Sequence, residues 1–155
     1  MALGCQGNAP DRAEHKAAAE VVRIEVDGPG DDLPELGTIT DFRLTDQHAA
    51  AFTGERVAGQ PWLAAFMFTR CPTICPQITA RMREVQTLAK QKQVPLRLVS
   101  FSVDPDFDTP EVLKAYADKY GVDQASWSFV TGDNAVIRST AEYGFKLSVE
   151  GTASA

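Results

Sequence analysis

Two cysteines four positions apart, Cys71 and Cys75, are the residues of this chain best suited to chemistry. Thiolates are nucleophiles and soft metal ligands, and four positions correspond to about one helical turn. If the segment between them winds helically, both sulfurs face the same point. The pair can then close a disulfide, cycle between dithiol and disulfide, or hold one soft metal ion.

The flanking residues predict a strand, a tight turn and a helix, with the thiols at the junction. An apolar run, Trp62 to Phe68, precedes the pair and indicates a buried central strand. Apolar side chains then recur near the period of an amphipathic helix, at Ile78, Met82, Val85 and Leu88. The unpaired N–H groups and positive dipole end of a helix N-terminus favour a thiolate. A cysteine at this junction should therefore be more acidic than a free one.

The rest of the chain alternates strand and helix signals, which is typical of an α/β layer fold. Before the cysteines, residues 38–46 predict an edge strand that ends in a turn at Asp46, Gln47 and His48. After them we predict a second buried strand at 94–103, a helix capped by Thr109 or Asp108 that runs from Pro110 to Gly121, a third strand at 127–131, a last helix at 135–143 and the start of another strand at 145–149. This order is compatible with a thioredoxin-like sheet.

Length and composition describe one globular domain behind a polar tether. The chain has 155 residues, of which 44% are hydrophobic and 23% charged. Its net charge of −6, without a basic cluster, argues against nucleic acid as a partner. No apolar run approaches the roughly 18 residues of a membrane span. We divide the chain into a tether at 1–33, with a possible short strand at 21–26, and a folded domain at 34–155.

The third cysteine, Cys5, stands in a Leu-Gly-Cys triplet that resembles the end of a bacterial lipoprotein signal. Two interpretations stay open, because the apolar region that precedes such a cysteine is absent. Cys5 is either a lipid-bearing membrane anchor or a simple terminal thiol. Of the two histidines, His15 falls in the tether and His48 in the turn. We expect His48 to be an exposed turn residue, remote from the cysteine pair, rather than a metal ligand.

Three segments carry a family resemblance: FTRCPTICPQITARM, SVDPDFDTPEVLKAYADKYG and WSFVTGD. Together they closely resemble the SCO/SenC family of copper chaperones for cytochrome c oxidase, over roughly residues 34–149. The resemblance implies a thioredoxin-like fold and copper bound by two cysteines and one histidine. It also implies a membrane-tethered protein on the periplasmic side of a bacterial cell membrane. The implied partners are the copper-bearing subunit of the oxidase and other copper chaperones or thiol reductants.

Carried over to this chain, the resemblance makes Cys71 and Cys75 the thiolate ligands, and soft thiolates favour Cu(I). Asp104, in the VDP element, should lie on the same rim, either as an acceptor that supports the ligands or as the cap of its own Asp-Pro turn. The family's histidine ligand follows the TGD helix, and neither His15 nor His48 aligns with it. We therefore expect a C-terminally truncated domain that lacks its last strand or strands and its closing helix, with a two-sulfur copper site.

Two functions from different classes remain. The first is copper delivery by a protein that is not an enzyme. The second is thiol–disulfide exchange of the thioredoxin or peroxiredoxin type, which reduces partner cysteines or scavenges peroxide. The CxxxC spacing favours copper delivery, because redox enzymes of this fold usually carry C-x-x-C. A purely structural disulfide between Cys71 and Cys75 is a third interpretation, although such a brace does not require a strand–helix junction.

Overall fold

The computed structural model describes residues 38, 39 and 41–147, which form one mixed α/β layer. The described elements are β1 (Arg43–Asp46), β2 (Ala51–Thr53), β3 (Trp62–Met67), α1 (Ile74–Lys92), β4 (Arg97–Ser102), α2 (Pro110–Tyr120), β5 (Trp127–Thr131) and α3 (Asn134–Ser139). A short 3-10 turn follows β2 and a π-helical turn, Thr140–Gly144, follows α3. Within these residues, no helix is both long and apolar enough to cross a membrane.

The five described strands form one sheet in the order β2-β1-β5-β4-β3. Strands β3, β4 and β5 run parallel, whereas β1 is antiparallel to both β2 and β5. The three parallel strands therefore all begin at one end of the sheet and all finish at the opposite end, and each of these ends is called an edge. We name the edge that follows Met67, Ser102 and Thr131 the carboxyl edge, and the edge at Trp62, Arg97 and Trp127 the amino edge.

Each face of the sheet has its own core. One core contains both cysteines of the pair and packs against α1 and α2. Its large side chains include Met67, Met82, Leu98, Leu113, Tyr116, Trp127 and Phe129. The other core includes Phe42, Leu44, Phe52, Val99, Phe101, Val130 and Ile137. Neighbouring residues of β4, Leu98 and Val99, enter opposite cores, as the alternation of side chains along a strand requires. The cysteines are thus part of a packed interior.

Two strand positions differ from the prediction. Strand β3 was expected to be central and buried, but among the described strands it pairs only with β4 and forms one end of the sheet, with Leu63 38% exposed. Strand β1 was expected at an edge, but it lies between β2 and β5. The prediction is wrong in both cases for the same reason. An apolar pattern reports the preference of side chains for burial, whereas the number of paired neighbours depends on distant segments.

Helix α1 buries a different face from the predicted one. Its buried residues are Cys75, Thr79, Met82 and Gln86. The predicted face shares only Met82 with this set, since Ile78 is half-buried and Val85 and Leu88 are 39% and 54% exposed. The polar members are buried because they have partners: the Thr79 hydroxyl, for example, donates to the Cys75 carbonyl over 2.9 Å. Such partners remove the cost of burying a polar group.

The second half of the chain follows the prediction closely until its end. Strands β4 and β5 are present, Thr109 caps α2 and accepts from the Val112 N–H, and Gly121 ends the helix in the left-handed conformation. Asp133 caps α3, but the helix changes to a π-helical turn at Thr140. Residues 145–147 of the last predicted strand are not in a strand, and the remaining two lie outside the described residues. The tether, its strand at 21–26 and the 33/34 boundary also lie outside them.

Candidate metal and redox site at the paired cysteines

The structure places both cysteines of the pair where the sequence predicts them. Cys71 lies in the loop after β3, and Cys75 is the second residue of α1. Both are free thiols, only 7% and 4% exposed. The loop bends sharply because the Cys71 N–H donates to the Phe68 carbonyl over 3.2 Å. The pair thus lies at the carboxyl edge, at the N-terminus of a helix, within a hydrophobic core.

The sulfur of Cys71 accepts backbone hydrogen bonds from the start of α1. The Cys75 N–H donates to this sulfur, with an N–S distance of 3.4 Å. These donors favour the thiolate, and they lower the pKa of the Cys71 thiol to about 7, with the Cys75 N–H as the largest cause and the Thr73 N–H as the next. The Cys71 thiol therefore ionises more readily at neutral pH than an ordinary cysteine thiol.

Cys75 has the opposite character. Burial raises the pKa of its thiol, and the nearby Cys71 and the carboxylate of Asp108 raise it further. At neutral pH the pair therefore consists of one sulfur that ionises readily and one that keeps its proton. This asymmetry suits a nucleophile and a resolving thiol. It also suits soft metal binding, in which the metal displaces the remaining proton.

Asp104 lies on the predicted rim, but its carboxylate binds an arginine. The guanidinium of Arg70 approaches Asp104 Oδ2 through Nη2 at 2.6 Å and Nε at 3.1 Å. The same guanidinium lies 4.3 Å from the centre of the Phe107 ring, which is 43% exposed. Because Arg70 immediately precedes Cys71, Asp104 is connected to the thiols through this neighbour. Its role in supporting the ligands stays a prediction.

The sequence did not single out Asp108 as a residue of the site. Its side chain is fully buried and accepts hydrogen bonds from the Thr69 N–H at 3.0 Å, from the Thr69 hydroxyl and from the Ser102 hydroxyl at 2.5 Å. Thr69 lies two residues before Cys71, so this carboxylate contacts the thiol loop directly. The prediction considered Asp108 only as a helix cap, a position that Thr109 occupies. The available signal was its place within VDPDFDTP.

The histidines do not add a ligand among the described residues. His48 lies in the exposed turn after β1, and its neighbour Gln47 donates to the Trp127 carbonyl at the amino edge. His48 thus lies near the amino edge, whereas the cysteine pair lies at the carboxyl edge, so the two are remote from each other, as predicted. Between residues 38 and 147, no three His, Cys, Asp or Glu side chains cluster in a way that could hold a metal ion. Cys5 and His15 lie outside the described residues, so the described part of the chain offers two thiols.

Comparison with known proteins gives a single family. A family model described as SCO1/SenC matches residues 30–154. A SCO1 protein homolog from Bacillus subtilis is 39% identical over 94 residues, which are 61% of this chain and 49% of that protein. The chain thus spans about half the length of the curated relatives it matches, or less.

Solved structures of this family confirm the thioredoxin-like fold. A SCO1/SenC family lipoprotein from Bacillus anthracis is 38% identical, with a TM-score of 0.68 over 71% of this chain and 66% of that one. BsSco, a cytochrome c oxidase assembly protein with a disulfide switch, is 36% identical, with a TM-score of 0.70 over 76% and 69%. ScoI from Bradyrhizobium japonicum, solved with copper bound, is 30% identical, with a TM-score of 0.59 over 69% and 66%.

Proposed function

Because the chain belongs to the SCO1/SenC family, we propose that it binds one Cu(I) ion through Cys71 and Cys75 and delivers copper during the assembly of cytochrome c oxidase. One observation carries the proposal. Two free thiols are buried together at the N-terminus of α1, and the backbone nitrogen of Cys75 lies 3.4 Å from the sulfur of Cys71, to which it donates a hydrogen bond. Family members act in oxidase assembly and have been solved with copper, which supports the same cargo here.

The chemistry of the donors favours Cu(I) over other ions. Two thiolates make a soft site of low coordination number, which suits Cu(I) and offers little to Mg²⁺ or Ca²⁺. Cu(II) prefers four nitrogen and oxygen donors, and the described residues bring no imidazole to the pair. The α1 N-terminus offsets part of the negative charge of two thiolates. The hydrophobic core around the sulfurs also limits the access of water.

The proposed partner is the copper-bearing subunit of the oxidase, with other copper chaperones or thiol reductants as upstream partners. Transfer requires that partner ligands reach the sulfurs, and the pair lies at the carboxyl edge of the sheet, in the loop after β3 and the first turn of α1. Ile74, next to Cys75, is 55% exposed and provides an apolar contact surface at this edge. We place the protein on the periplasmic side of a bacterial cell membrane, tethered through Cys5, as the Bacillus anthracis lipoprotein supports.

Copper stoichiometry tests this function. The reduced protein is loaded with Cu(I) without oxygen, washed with a competing thiol and analysed for metal. We expect the wild type to keep one copper per chain and both Cys71→Ser and Cys75→Ser to lose it, since one thiolate cannot hold Cu(I) against the competitor. Cys5→Ser is the matched control and should keep its copper. Retention of copper by the Cys71→Ser and Cys75→Ser variants would remove these residues from the site.

The pKa difference between the two thiols supports a second function, the reduction of partner disulfides. The Cys71 thiolate attacks one sulfur of the partner disulfide, that S–S bond breaks, and the partner's other sulfur leaves as a thiolate. Cys75 then loses its proton and attacks Cys71, which closes the internal disulfide and releases the first partner thiol. Two electrons pass from this chain to the partner. The lowered pKa of Cys71 and the raised pKa of Cys75 match these two roles.

Copper loading and disulfide reduction distinguish the two functions. A reductase without copper delivery predicts fast reduction of a model disulfide peptide by the wild type, slow reduction by Cys71→Ser, and no copper left after the wash. The copper function predicts retention of copper by the wild type whatever the rate of peptide reduction. If the copper-retaining wild type also reduces the peptide, the reductase step serves to reduce a disulfide of the same oxidase partner.

A further inference from the structure

Two carboxylates of the β4–α2 loop hold two successive residues of the thiol loop. Asp104 binds Arg70 at the surface, where the arginine side chain is 53% exposed. Asp108 binds Thr69 in the interior, where its own side chain is fully buried. The Asp104 side chain is only 12% exposed, but solvent around the guanidinium screens this ion pair. A buried carboxylate with three hydrogen-bond donors is, in contrast, costly to disturb, since each lost partner leaves a desolvated group.

The donors to Asp108 come from two different segments. The N–H and hydroxyl of Thr69 belong to the loop between β3 and Cys71, and the hydroxyl of Ser102 belongs to the end of β4. The backbone also fixes Asp108 itself, because its N–H donates to the Asp104 carbonyl over 2.9 Å. The carboxylate therefore connects the ends of two neighbouring parallel strands. The residue two positions after Thr69 is Cys71, so little chain separates this connection from the sulfur.

We propose that Asp108 is a positioning residue for the thiol pair, and that its buried carboxylate holds Thr69 against the end of β4 and thereby fixes Cys71 beside the first turn of α1. The proposal concerns the loop itself and rests on the proposed copper function only for its functional consequence. Asp108 is not a ligand, since its contacts are with Thr69 and Ser102. Residues that orient metal ligands typically change metal affinity by about 10–100-fold when they are replaced.

A purely electrostatic role for Asp108 predicts the opposite sign. Cu(I) on two thiolates carries a net negative charge, so a nearby carboxylate would weaken binding and its removal would strengthen it. Positioning predicts that Asp108→Asn weakens binding, because the amide keeps the shape but cannot accept all three hydrogen bonds. Thr69→Val separates the two roles further. It removes one donor to the carboxylate without changing any charge.

The experiment measures two quantities on the full chain for wild type, Asp108→Asn, Thr69→Val and the control Asp106→Asn, an exposed change in the same loop. The first is amide hydrogen exchange in residues 69–75 of the reduced, metal-free protein. The second is Cu(I) affinity by anaerobic competition with a chromogenic chelator. We expect faster exchange at Thr69, Cys71 and Cys75 in both Asp108→Asn and Thr69→Val, with affinity about ten-fold weaker or more. Asp106→Asn should change affinity by less than about three-fold.

Each result decides one claim. Unchanged exchange in the thiol loop of Thr69→Val would overturn the positioning role, whether or not copper binds. Faster exchange with unchanged affinity, or tighter Cu(I) binding by Asp108→Asn, would overturn it as well. If Asp108→Asn fails to fold, Thr69→Val gives the answer alone. If the wild type binds no Cu(I), the proposed function fails, and the exchange measurement still tests whether Asp108 fixes the loop.

Discussion

The buried polar groups at the amino edge and the carboxyl edge differ in how far the fold itself uses their hydrogen-bonding capacity. At the amino edge, the Gln86 side chain accepts from the Asp123 N–H over 3.0 Å and donates to the Asp123 carbonyl over 2.8 Å and to the Ser126 hydroxyl. Gln47 similarly accepts from the Phe129 N–H and donates to the Trp127 carbonyl. Both glutamines are nearly fully buried and hold the chain around the start of β5. Their hydrogen-bonding capacity is used within the fold.

At the carboxyl edge, the buried thiols keep capacity for a ligand. Cys71 accepts backbone N–H groups, but its sulfur retains lone pairs, and Cys75 retains its proton at neutral pH. The surrounding polar groups, Thr69 and Asp108, are satisfied by one another. The difference teaches that burial of polar groups alone does not mark a functional site. A functional site is indicated where buried reactive groups keep free lone pairs or protons, while the polar groups that hold them in place have all their hydrogen-bond partners.

The largest expected effect is the difference in reactivity between the two thiols. The thiolate is the nucleophile, and the pKa of Cys71 is lowered to about 7, so its alkylation rate should rise about ten-fold per pH unit below pH 7 and level off above it. Cys75, with a raised pKa and 4% exposure, should stay unreactive over this range. Iodoacetamide labelling followed by peptide mass spectrometry measures each cysteine separately. A Cys71 midpoint near pH 9, or faster labelling of Cys75, would contradict the asymmetry.

A substitution at the amino edge should lower the stability of the fold without changing copper binding. Gln86→Ala leaves the Asp123 N–H and carbonyl without their side-chain partner in a half-buried place. We expect the free energy of unfolding to fall by about 1–3 kcal/mol, while the reduced variant keeps the copper stoichiometry of the wild type. Urea unfolding and metal analysis check the two parts. Gln91→Ala, an exposed change on the same helix, is the control and should alter neither quantity.

The smallest effect is expected at His48. This residue is exposed in the turn after β1, and its N–H donates to the Asp46 carboxylate, a bond that does not need the imidazole. His48→Ala should change the free energy of unfolding by less than about 0.5 kcal/mol and leave Cu(I) affinity unchanged. Chelator competition and urea unfolding measure both values. A large loss of copper would show that the turn reaches the thiol pair and would end the distinction between the edges.

The sequence was sufficient for features that depend on neighbouring residues. The strand–turn–helix unit around Cys71 and Cys75 is local, and so are the Thr109 cap and the left-handed Gly121 that bound α2. Apolar periodicity, capping residues and glycine report such features directly. The resemblance of the motifs to the SCO/SenC family added the overall fold, which the solved relatives confirm.

Features that depend on distant partners could not be predicted in this way. Gln86 lies on the buried face of α1 because it binds the backbone of Asp123, which is 37 positions away. Asp108 belongs to the site because it reaches Thr69, 39 positions away. A prediction based on apolar periodicity places both side chains in solvent. Only the folded chain shows that a polar residue has found the partners that make its burial favourable.

The coordination of the bound metal tests the central claim most directly. Copper K-edge X-ray absorption is recorded on the Cu(I)-loaded chain that carries Cys5→Ser, so that Cys71 and Cys75 are its only cysteines. We predict an absorption edge typical of low-coordinate Cu(I) and a first coordination shell that contains two sulfur atoms. If Cys75→Ser retains any copper, the first shell of that copper should contain one sulfur atom fewer. A first shell of nitrogen and oxygen alone, or an unchanged sulfur count in Cys75→Ser, would contradict the assignment of the copper site to this pair.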